Sequence, residues 1–267
     1  MTKNRFEQLP STQALSVFFT AGHPRQDDTI AVLLALQDAE VDMVEIGFPF
    51  SDPVADGPTI QESNAQALAN GMTVQRLFEQ LKDLRAANVT YPVLLMGYLN
   101  PVERYGAQRF FETASLCGVD GLILPDMPFE EYLTRYKSLY ERNGLKPVFL
   151  VTSRTPAERI RAFDRESPAF LYILSSDAVT GGRAHVSSDR EAFFKQLKDM
   201  KLKSRLIVGF GVSDRESFQS VTAHTHGAII GSAFVRAIKG LPKGATEKSS
   251  DTAVLNRAVR DFIKQVR

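Results

Sequence analysis

The chain has 267 residues, 43% of them hydrophobic and 24% charged, and its 32 Lys and Arg against 31 Asp and Glu give a formal net charge of +1. This composition supports a full hydrophobic core, and the near-zero charge excludes the basic surface that nucleic-acid binding requires. No apolar stretch approaches the roughly 20 residues that span a bilayer, and the first residues lack the apolar segment of a secretory signal. We therefore expect a soluble cytoplasmic protein that binds neither nucleic acid nor membrane.

Cysteine and histidine are too sparse to predict a metal site. The single cysteine, Cys117, excludes an internal disulfide and a cysteine-based zinc site. The four histidines, His23, His185, His224 and His226, are scattered and offer only a weak case for a metal ion. We predict no metal.

Eight short apolar or β-branched segments predict eight β-strands. In chain order they are 16–22, 41–48, 92–98, 121–126, 146–152, 169–175, 205–211 and 227–233. The segments between them show helical periodicity, as in the i, i+3, i+4, i+7 spacing of Val74, Leu77, Phe78 and Leu81.

Three helices are predicted to begin with a capping box, a hydroxyl residue followed three positions later by a glutamate. The pairs are Thr155 with Glu158, Ser188 with Glu191, and Ser213 with Glu216.

The alternation of strands and helices requires a parallel sheet, because parallel neighbours need a crossover connection. Eight such units in about 250 residues predict an α/β fold of the (β/α)8 TIM-barrel type, with a doubly wound open sheet as the alternative. We expect one domain over residues 1–267, with the barrel at about 16–238 and a C-terminal helix at about 250–266. In a barrel the active site lies at the C-terminal ends of the strands.

Two carboxylates near the second strand are candidates for proton chemistry. Glu45 lies inside the apolar strand, where burial raises a carboxyl pKa toward the range useful to a general acid and base. The alternative is a structural carboxyl bonded to a neighbouring hydroxyl or base. The following loop, 49–58, holds three prolines, and this rigidity favours Asp56 as a carboxylate aimed at positive charge. Turn formation is the alternative for Asp52 and Asp56.

Glycines follow or end three successive predicted strands. They occur in Thr180-Gly181-Gly182, in Gly209-Phe-Gly211 and in Gly231-Ser232. Each alone is consistent with a tight turn. Together they predict a phosphate-binding site made of backbone N–H groups and a helix N-terminus.

Motifs in order from about residue 16 to 238 resemble those of the tryptophan synthase α subunit family. The longest and most specific is EIGFPFSDPVADGPTIQ at 45–61. The others are FTAGHP (19–24), MGYLNP (96–101), GLILPDMP (121–128), VTG (179–181), GFG (209–211) and GSA (231–233).

The resemblance implies a carbon–carbon lyase of tryptophan biosynthesis, which cleaves indole-3-glycerol phosphate to indole and glyceraldehyde 3-phosphate without a cofactor in this chain. It also implies a β-subunit partner in an α2β2 heterotetramer. That partner would receive the indole, condense it with serine and carry the pyridoxal phosphate.

The same resemblance assigns roles to residues. Glu45 would protonate the indole C3 and help to deprotonate the glycerol hydroxyl, and Asp56 would stabilise the indole N–H as positive charge develops. The substrate-binding residues would be Phe18, Ile60 and Tyr172 around the ring, and Thr180, Gly181, Gly209, Gly211, Gly231 and Ser232 around the phosphate. Asp52, Pro53 and Asp126 would meet the partner. Ordinary core packing is the alternative for Phe18 and Ile60, and a helix N-cap before Pro128 is the alternative for Asp126.

The chain departs from the family pattern in two places. His23 stands where the family usually has an acidic residue. Ser176 and Ala178 stand where it often has Arg and Gly, in the loop that closes over substrate and communicates with the partner. Two other functions remain open: an isomerase of a sugar phosphate, and a non-catalytic allosteric partner of a β subunit.

Overall fold

Eight parallel strands close into a barrel in the computed structural model, which describes residues 4–174, 188–209, 211–240 and 249–267. Each strand is hydrogen-bonded to the next in chain order, and the last returns to the first. The strands are β1 (Ala14–Thr20), β2 (Met43–Gly47), β3 (Val93–Met96), β4 (Gly121–Ile123), β5 (Lys146–Thr152), β6 (Phe170–Leu174), β7 (Arg205–Val208) and β8 (Gly227–Ile230).

Helices surround the barrel. Among the described residues they are α1 (Thr29–Asp38), α2 (Pro58–Ala69), α3 (Val74–Leu81), α4 (Leu99–Tyr105), α5 (Ala107–Leu116), α6 (Phe129–Glu131), α7 (Lys137–Asn143), α8 (Ala157–Glu166), α9 (Ser188–Asp199), α10 (Arg215–Thr222), α11 (Ser232–Lys239) and α12 (Ser249–Val266). A π-helical turn (Tyr132–Tyr136) joins α6 to α7, and a 3₁₀ turn (Arg5–Gln8) precedes β1. None of the described helices is both long and apolar enough to cross a membrane.

The alternation of side chains along β1 divides the apolar residues into two clusters. Leu15, Val17 and Phe19 pack outward against the helices, whereas Ala14 and Phe18 belong to the cluster that fills the barrel. The side chains of a barrel strand point alternately inward and outward. A polar residue at an inward position is therefore enclosed by the barrel.

The predicted TIM barrel is confirmed, and the open-sheet alternative is wrong because β8 pairs with β1, with Ala14 opposite Gly227.

Several predicted strands extend too far at their C-terminal ends. The fourth ends at Ile123 rather than at 126, just before Pro125, which has no N–H to donate to a strand ladder. The seventh ends at Val208, before the glycines.

The capping box predicted at Thr155 is wrong. Helix α8 begins at Ala157 after Pro156, without a side-chain cap. The Thr155 hydroxyl instead accepts a hydrogen bond from the Thr152 N–H, 3.0 Å away, in the preceding turn.

The capping box predicted at Ser213 is displaced by one residue. Asp214 caps α10 and forms a reciprocal box with Ser217, whose N–H donates to the Asp214 carboxylate at 2.9 Å. An ionised carboxylate is the stronger acceptor at the positive end of a helix. Ser188 is the first residue of α9, and the residues that precede it lie outside the described part of the chain.

The predicted C-terminal helix corresponds to α12, which packs against α1 and α11. Its buried residues are Leu255, Val259, Ile263 and Val266. The outer apolar cluster includes both β1 and α12, which supports the proposal that the chain forms one domain.

Candidate active site

Glu45 lies in the middle of β2 and is fully buried. The Ser16 hydroxyl donates to its Oε1 at 3.1 Å, while its Oε2 has no hydrogen-bond partner among the described residues. Burial raises the pKa of Glu45 to about 8, and the hydrogen bond from Ser16 acts in the opposite direction. Near neutral pH this carboxyl is therefore mainly protonated, with one oxygen left for a ligand.

Asp56 follows β2 in the loop that leads to α2. The Tyr98 hydroxyl donates to Asp56 Oδ2 at 3.0 Å and accepts from the Ala55 N–H at 3.0 Å. Burial raises the pKa of Asp56 to about 6, and the bond from Tyr98 opposes this. Asp56 is therefore mainly ionised at neutral pH, in contrast to Glu45. Two carboxyls held in different protonation states by their surroundings are a recurrent arrangement in acid–base catalysis.

Tyr172 of β6 carries a hydroxyl that is influenced by both carboxyls. Its pKa is raised well above the ordinary value, first by burial and then by the charges of Glu45 and Asp56. Its hydroxyl donates to the Gly209 carbonyl at 3.4 Å. Glu45 is bonded to Ser16 inside the barrel, where Tyr172 also lies, and Asp56 stands in the loop after the C-terminal end of β2.

An apolar cluster fills the barrel beside these groups. Phe18, Ile60 and Tyr172 belong to it, and each is less than 8% exposed. The Phe18 ring lies over Gly47, where an added Cβ would be 2.6 Å from the ring. Partly buried apolar side chains from the strands extend the cluster: Met96, Leu150 and Leu174.

The glycines after β7 and β8 lie against this cluster. An added Cβ at Gly209 would be 1.8 Å from the Tyr172 ring, and one at Gly231 would be 3.5 Å from Phe18. Gly231 is the N-cap of α11 and has no side-chain cap, so the first N–H groups of the helix lack a side-chain acceptor at that position. Gly211 has a φ of +77°, which glycine adopts without strain.

Several residues named from the sequence lie outside the described residues. They are Thr180, Gly181 and Gly182 of the predicted phosphate site, Ser176 and Ala178 of the sixth loop, and His185.

The family model described as tryptophan synthase alpha chain matches residues 6–264. The chain belongs to this family. It is similar to the tryptophan synthase alpha chain of Parabacteroides distasonis, at 44% identity over 92% of this chain and 97% of the relative. It is also similar to that of Bacteroides thetaiotaomicron, at 41% identity over 98% and 100% of the two chains.

Solved structures agree with the sequence relatives. The tryptophan synthase A-subunit of Pyrococcus furiosus is 32% identical, with a TM-score of 0.82 over 95% of this chain and 99% of that one. Tryptophan synthase from M. tuberculosis in its aminoacrylate-bound form is 26% identical, with a TM-score of 0.79 over 98% and 97% of the two chains.

As a tryptophan synthase alpha chain, the protein is a carbon–carbon lyase of tryptophan biosynthesis that cleaves indole-3-glycerol phosphate. The resemblance stated from the motifs is confirmed, and the sugar-phosphate isomerase is not supported. Family membership also implies a beta-subunit partner, and it is consistent with the absence of a cofactor from this chain.

The residues predicted to meet the partner differ in their surroundings. In the β2–α2 loop Asp52 is exposed and Pro53 is buried. Asp126 is exposed, and its carboxylate accepts from the N–H of Leu99, the first residue of α4, at 2.9 Å. Asp126 therefore does not cap the helix that follows Pro128, as the alternative proposed, but fastens the β4 loop to α4.

His23, singled out in the sequence as a departure from the expected pattern, lies in the loop after β1. It is 3% exposed, and neither ring nitrogen has a hydrogen-bond partner among the described residues. Burial is the largest effect and lowers its pKa. The backbone of Val235 opposes this shift, the weaker effect of the Lys239 charge adds to it, and the charge of Glu62 opposes it least. The lowered pKa favours the neutral form of the imidazole.

Two polar residues of this site were not found from the sequence. Ser16 has an available signal, because it is polar at an inward position of a strand whose only other polar residue is Thr20. Tyr98 has a weaker one, because its contact with Asp56 joins two loops whose proximity depends on the closed barrel.

Proposed function

We propose that Glu45 and Asp56 together cleave the bond between the indole ring and the glycerol phosphate side chain. The observation that carries the proposal is that Glu45 is buried on β2 with its Oε2 unbonded among the described residues, while Asp56 lies in the loop that follows the same strand. Burial keeps Glu45 mainly protonated near neutral pH, whereas Asp56 is mainly ionised. A proton donor and an anion in one apolar cavity are what this cleavage requires.

The proposed reaction begins with transfer of the Glu45 proton to C3 of the indole ring. The ring becomes cationic, and the Asp56 carboxylate stabilises the charge at the ring N–H. The carbon–carbon bond then breaks, and its electron pair returns to the ring. The ionised Glu45 takes the proton of the adjacent glycerol hydroxyl, which becomes the aldehyde of glyceraldehyde 3-phosphate. Glu45 ends the cycle protonated, as it began.

We propose that the apolar cluster around Phe18, Ile60 and Tyr172 holds the indole ring. The phosphate would bind to backbone N–H groups at Gly211, Gly231 and Ser232, with Gly209, Thr180 and Gly181 completing the site. The uncapped N-terminus of α11 supports this placement, since a helix N-terminus attracts an anion.

We propose that the chain works in the cytoplasm in an α2β2 heterotetramer, with pyridoxal phosphate bound only by the beta subunit. The exposed loop that contains Asp52 and Pro53, together with Asp126, would contact that subunit. The exposure of this loop at the C-terminal end of the barrel supports the assignment.

The proposal is tested by indole release from indole-3-glycerol phosphate, measured with and without the beta subunit. Glu45→Gln and Asp56→Asn should each lower turnover by at least about 10²-fold, because proton transfer and charge stabilisation are lost. Glu158→Gln, an exposed carboxylate on α8, is the matched control and should retain activity.

Near-normal turnover of Glu45→Gln would assign the proton transfer to another residue. No indole release by the unaltered chain in either condition would instead favour the non-catalytic alternative.

A further inference from the structure

Ser16 is enclosed in the barrel at the centre of β1. It is 1% exposed and lies two residues before Phe18, whose register partner on β2 is Glu45. Its hydroxyl donates to Glu45 Oε1 at 3.1 Å, and this is the one hydrogen bond that the described residues give the carboxyl. Both side chains stand on adjacent barrel strands, so their relative position is fixed by the sheet.

We propose that Ser16 is the positioning residue for Glu45, holding Oε1 so that the transferable proton is carried by Oε2 on the side of the substrate. This inference rests on the proposed role of Glu45. A carboxylic acid that accepts a hydrogen bond at one oxygen carries its own proton on the other. The buried, unpartnered Oε2 is thus the oxygen that meets the indole ring.

Ser16 also changes its contribution during the reaction. Once Glu45 has given up its proton, the same hydroxyl donates to an anion, and such bonds are shorter and stronger than those to a neutral acceptor. Ser16 therefore favours the carboxylate form that must exist between the two proton transfers. Without it, the carboxyl would hold its proton more tightly.

Among the described residues, the neighbours of Glu45 other than Ser16 give its carboxyl no hydrogen bond. On β3 its register partner is the apolar Leu94, and on β1 it is Phe18. Across the barrel the Tyr172 hydroxyl is a titratable group that responds to the charge of Glu45, and Asp56 acts on the same hydroxyl. Among the described residues no Lys, Arg or His moves the pKa of Glu45, which is set by burial and by Ser16.

The test is the pH dependence of kcat for Ser16→Ala, measured in the full chain with the beta subunit. A general acid loses activity as pH rises through its pKa, so Glu45 is expected to define the basic limb of the profile. Ser16→Ala should move that limb up by roughly 0.5–1 pH unit, equivalent to one lost hydrogen bond to a charged group, and should lower kcat more than it changes KM.

Ser167→Ala is the matched control. This serine is 2% exposed, and its hydroxyl donates to the backbone carbonyls of Pro147 and Phe170, at the start of β6. The substitution also deletes a buried hydroxyl but does not touch Glu45, so it should destabilise the fold without moving the basic limb.

A second readout does not depend on turnover. The pKa of Glu45, measured by carbon-13 NMR titration with Glu45→Gln to identify its signal, should rise in Ser16→Ala. An unchanged pKa of Glu45 and an unmoved basic limb of the kcat profile would overturn the inference.

The two proposals can fail separately. If Glu45→Gln keeps near-normal activity, the proposed function fails. If Glu45→Gln is inactive while Ser16→Ala leaves the pKa of Glu45 and the basic limb unchanged, only the role of Ser16 fails.

Discussion

At the residue scale, Glu45 and Asp56 carry the same functional group and are distinguished by what surrounds them. Glu45 is sealed inside the strand layer with one hydroxyl partner, whereas Asp56 stands in a partly exposed loop with Tyr98. Greater burial gives the higher pKa, about 8 against about 6. The same burial that prepares Glu45 to donate a proton makes its ionised form unfavourable for the fold.

Glu45→Gln should therefore stabilise the protein, by an amount that grows with pH. The folded-state pKa of about 8 lies above the ordinary 4.5, so the stability that Glu45 contributes is complete below pH 4.5 and is lost as pH rises through 8. The neutral amide does not titrate. Thermal denaturation should give the variant a Tm about 5 °C above that of the unaltered chain at pH 8, and a smaller difference at pH 5. A difference independent of pH would contradict this, and Glu158→Gln should show none.

The sequence predicted these carboxyls better than it predicted their partners. Glu45 is conspicuous because it interrupts an apolar strand, and Asp56 because prolines stiffen its loop. The contacts of Ser16 and Tyr98 depend on which strands and loops become neighbours in the closed barrel. That information is three-dimensional, so periodicity along the chain could not supply it.

At the element scale, β6 and the residue that follows β7 approach closely because Gly209 has no side chain. The Tyr172 ring of β6 occupies the space where a side chain at Gly209, after β7, would lie. This close approach sets the position of the Tyr172 hydroxyl, which donates to the Gly209 carbonyl.

Gly209→Ala should displace Tyr172 and impair catalysis. The added methyl group would lie 1.8 Å from the ring, and overpacking of this kind costs about 1–3 kcal/mol. We expect kcat/KM for indole release to fall at least about 10-fold, with a lower Tm. Gly240→Ala is the control, because an added Cβ there meets no atom of the described part of the chain within 4 Å. Normal kinetics for Gly209→Ala would show that the ring position is not critical.

Element boundaries were the least predictable part of the fold. Apolar composition located all eight strands, but most of the predicted C-terminal ends extended into loop residues, whereas the predicted end of β5 at 152 is correct. Strands end near prolines and glycines even where the neighbouring residues are apolar. Ile123 and Val208 are two such strand ends. The N-cap of α10 is Asp214 and not the predicted Ser213, because the charged side chain is the stronger hydrogen-bond acceptor.

At the scale of the whole molecule, the face that carries the site also presents the segment proposed to meet the partner. Val54 is 85% exposed in the β2–α2 loop, between the buried Pro53 and the exposed Ala55. Two residues later the same loop supplies Asp56. Pressure on the loop from a docked subunit would therefore act directly on a carboxylate of the site.

Val54→Asp should weaken binding of the beta subunit by at least about 10-fold in Kd, because a charge would replace an apolar contact in the interface. Indole release by the isolated chain should change little. Leu116→Asp, equally exposed at the C-terminal end of α5 on the opposite end of the barrel, is the control. Calorimetric titration would give both affinities, and equal affinities for the two variants would place the interface elsewhere.

The pairing of β1 with β8 also has a consequence for biosynthesis. The partners of Ala14 to Val17 are residues 227–230, which are synthesised much later than the first strand. On the ribosome, one hydrogen-bonding edge of the first strand therefore stays open until β8 has been made. An open strand edge is a template for association with other chains, so the nascent protein is exposed to such association during this interval.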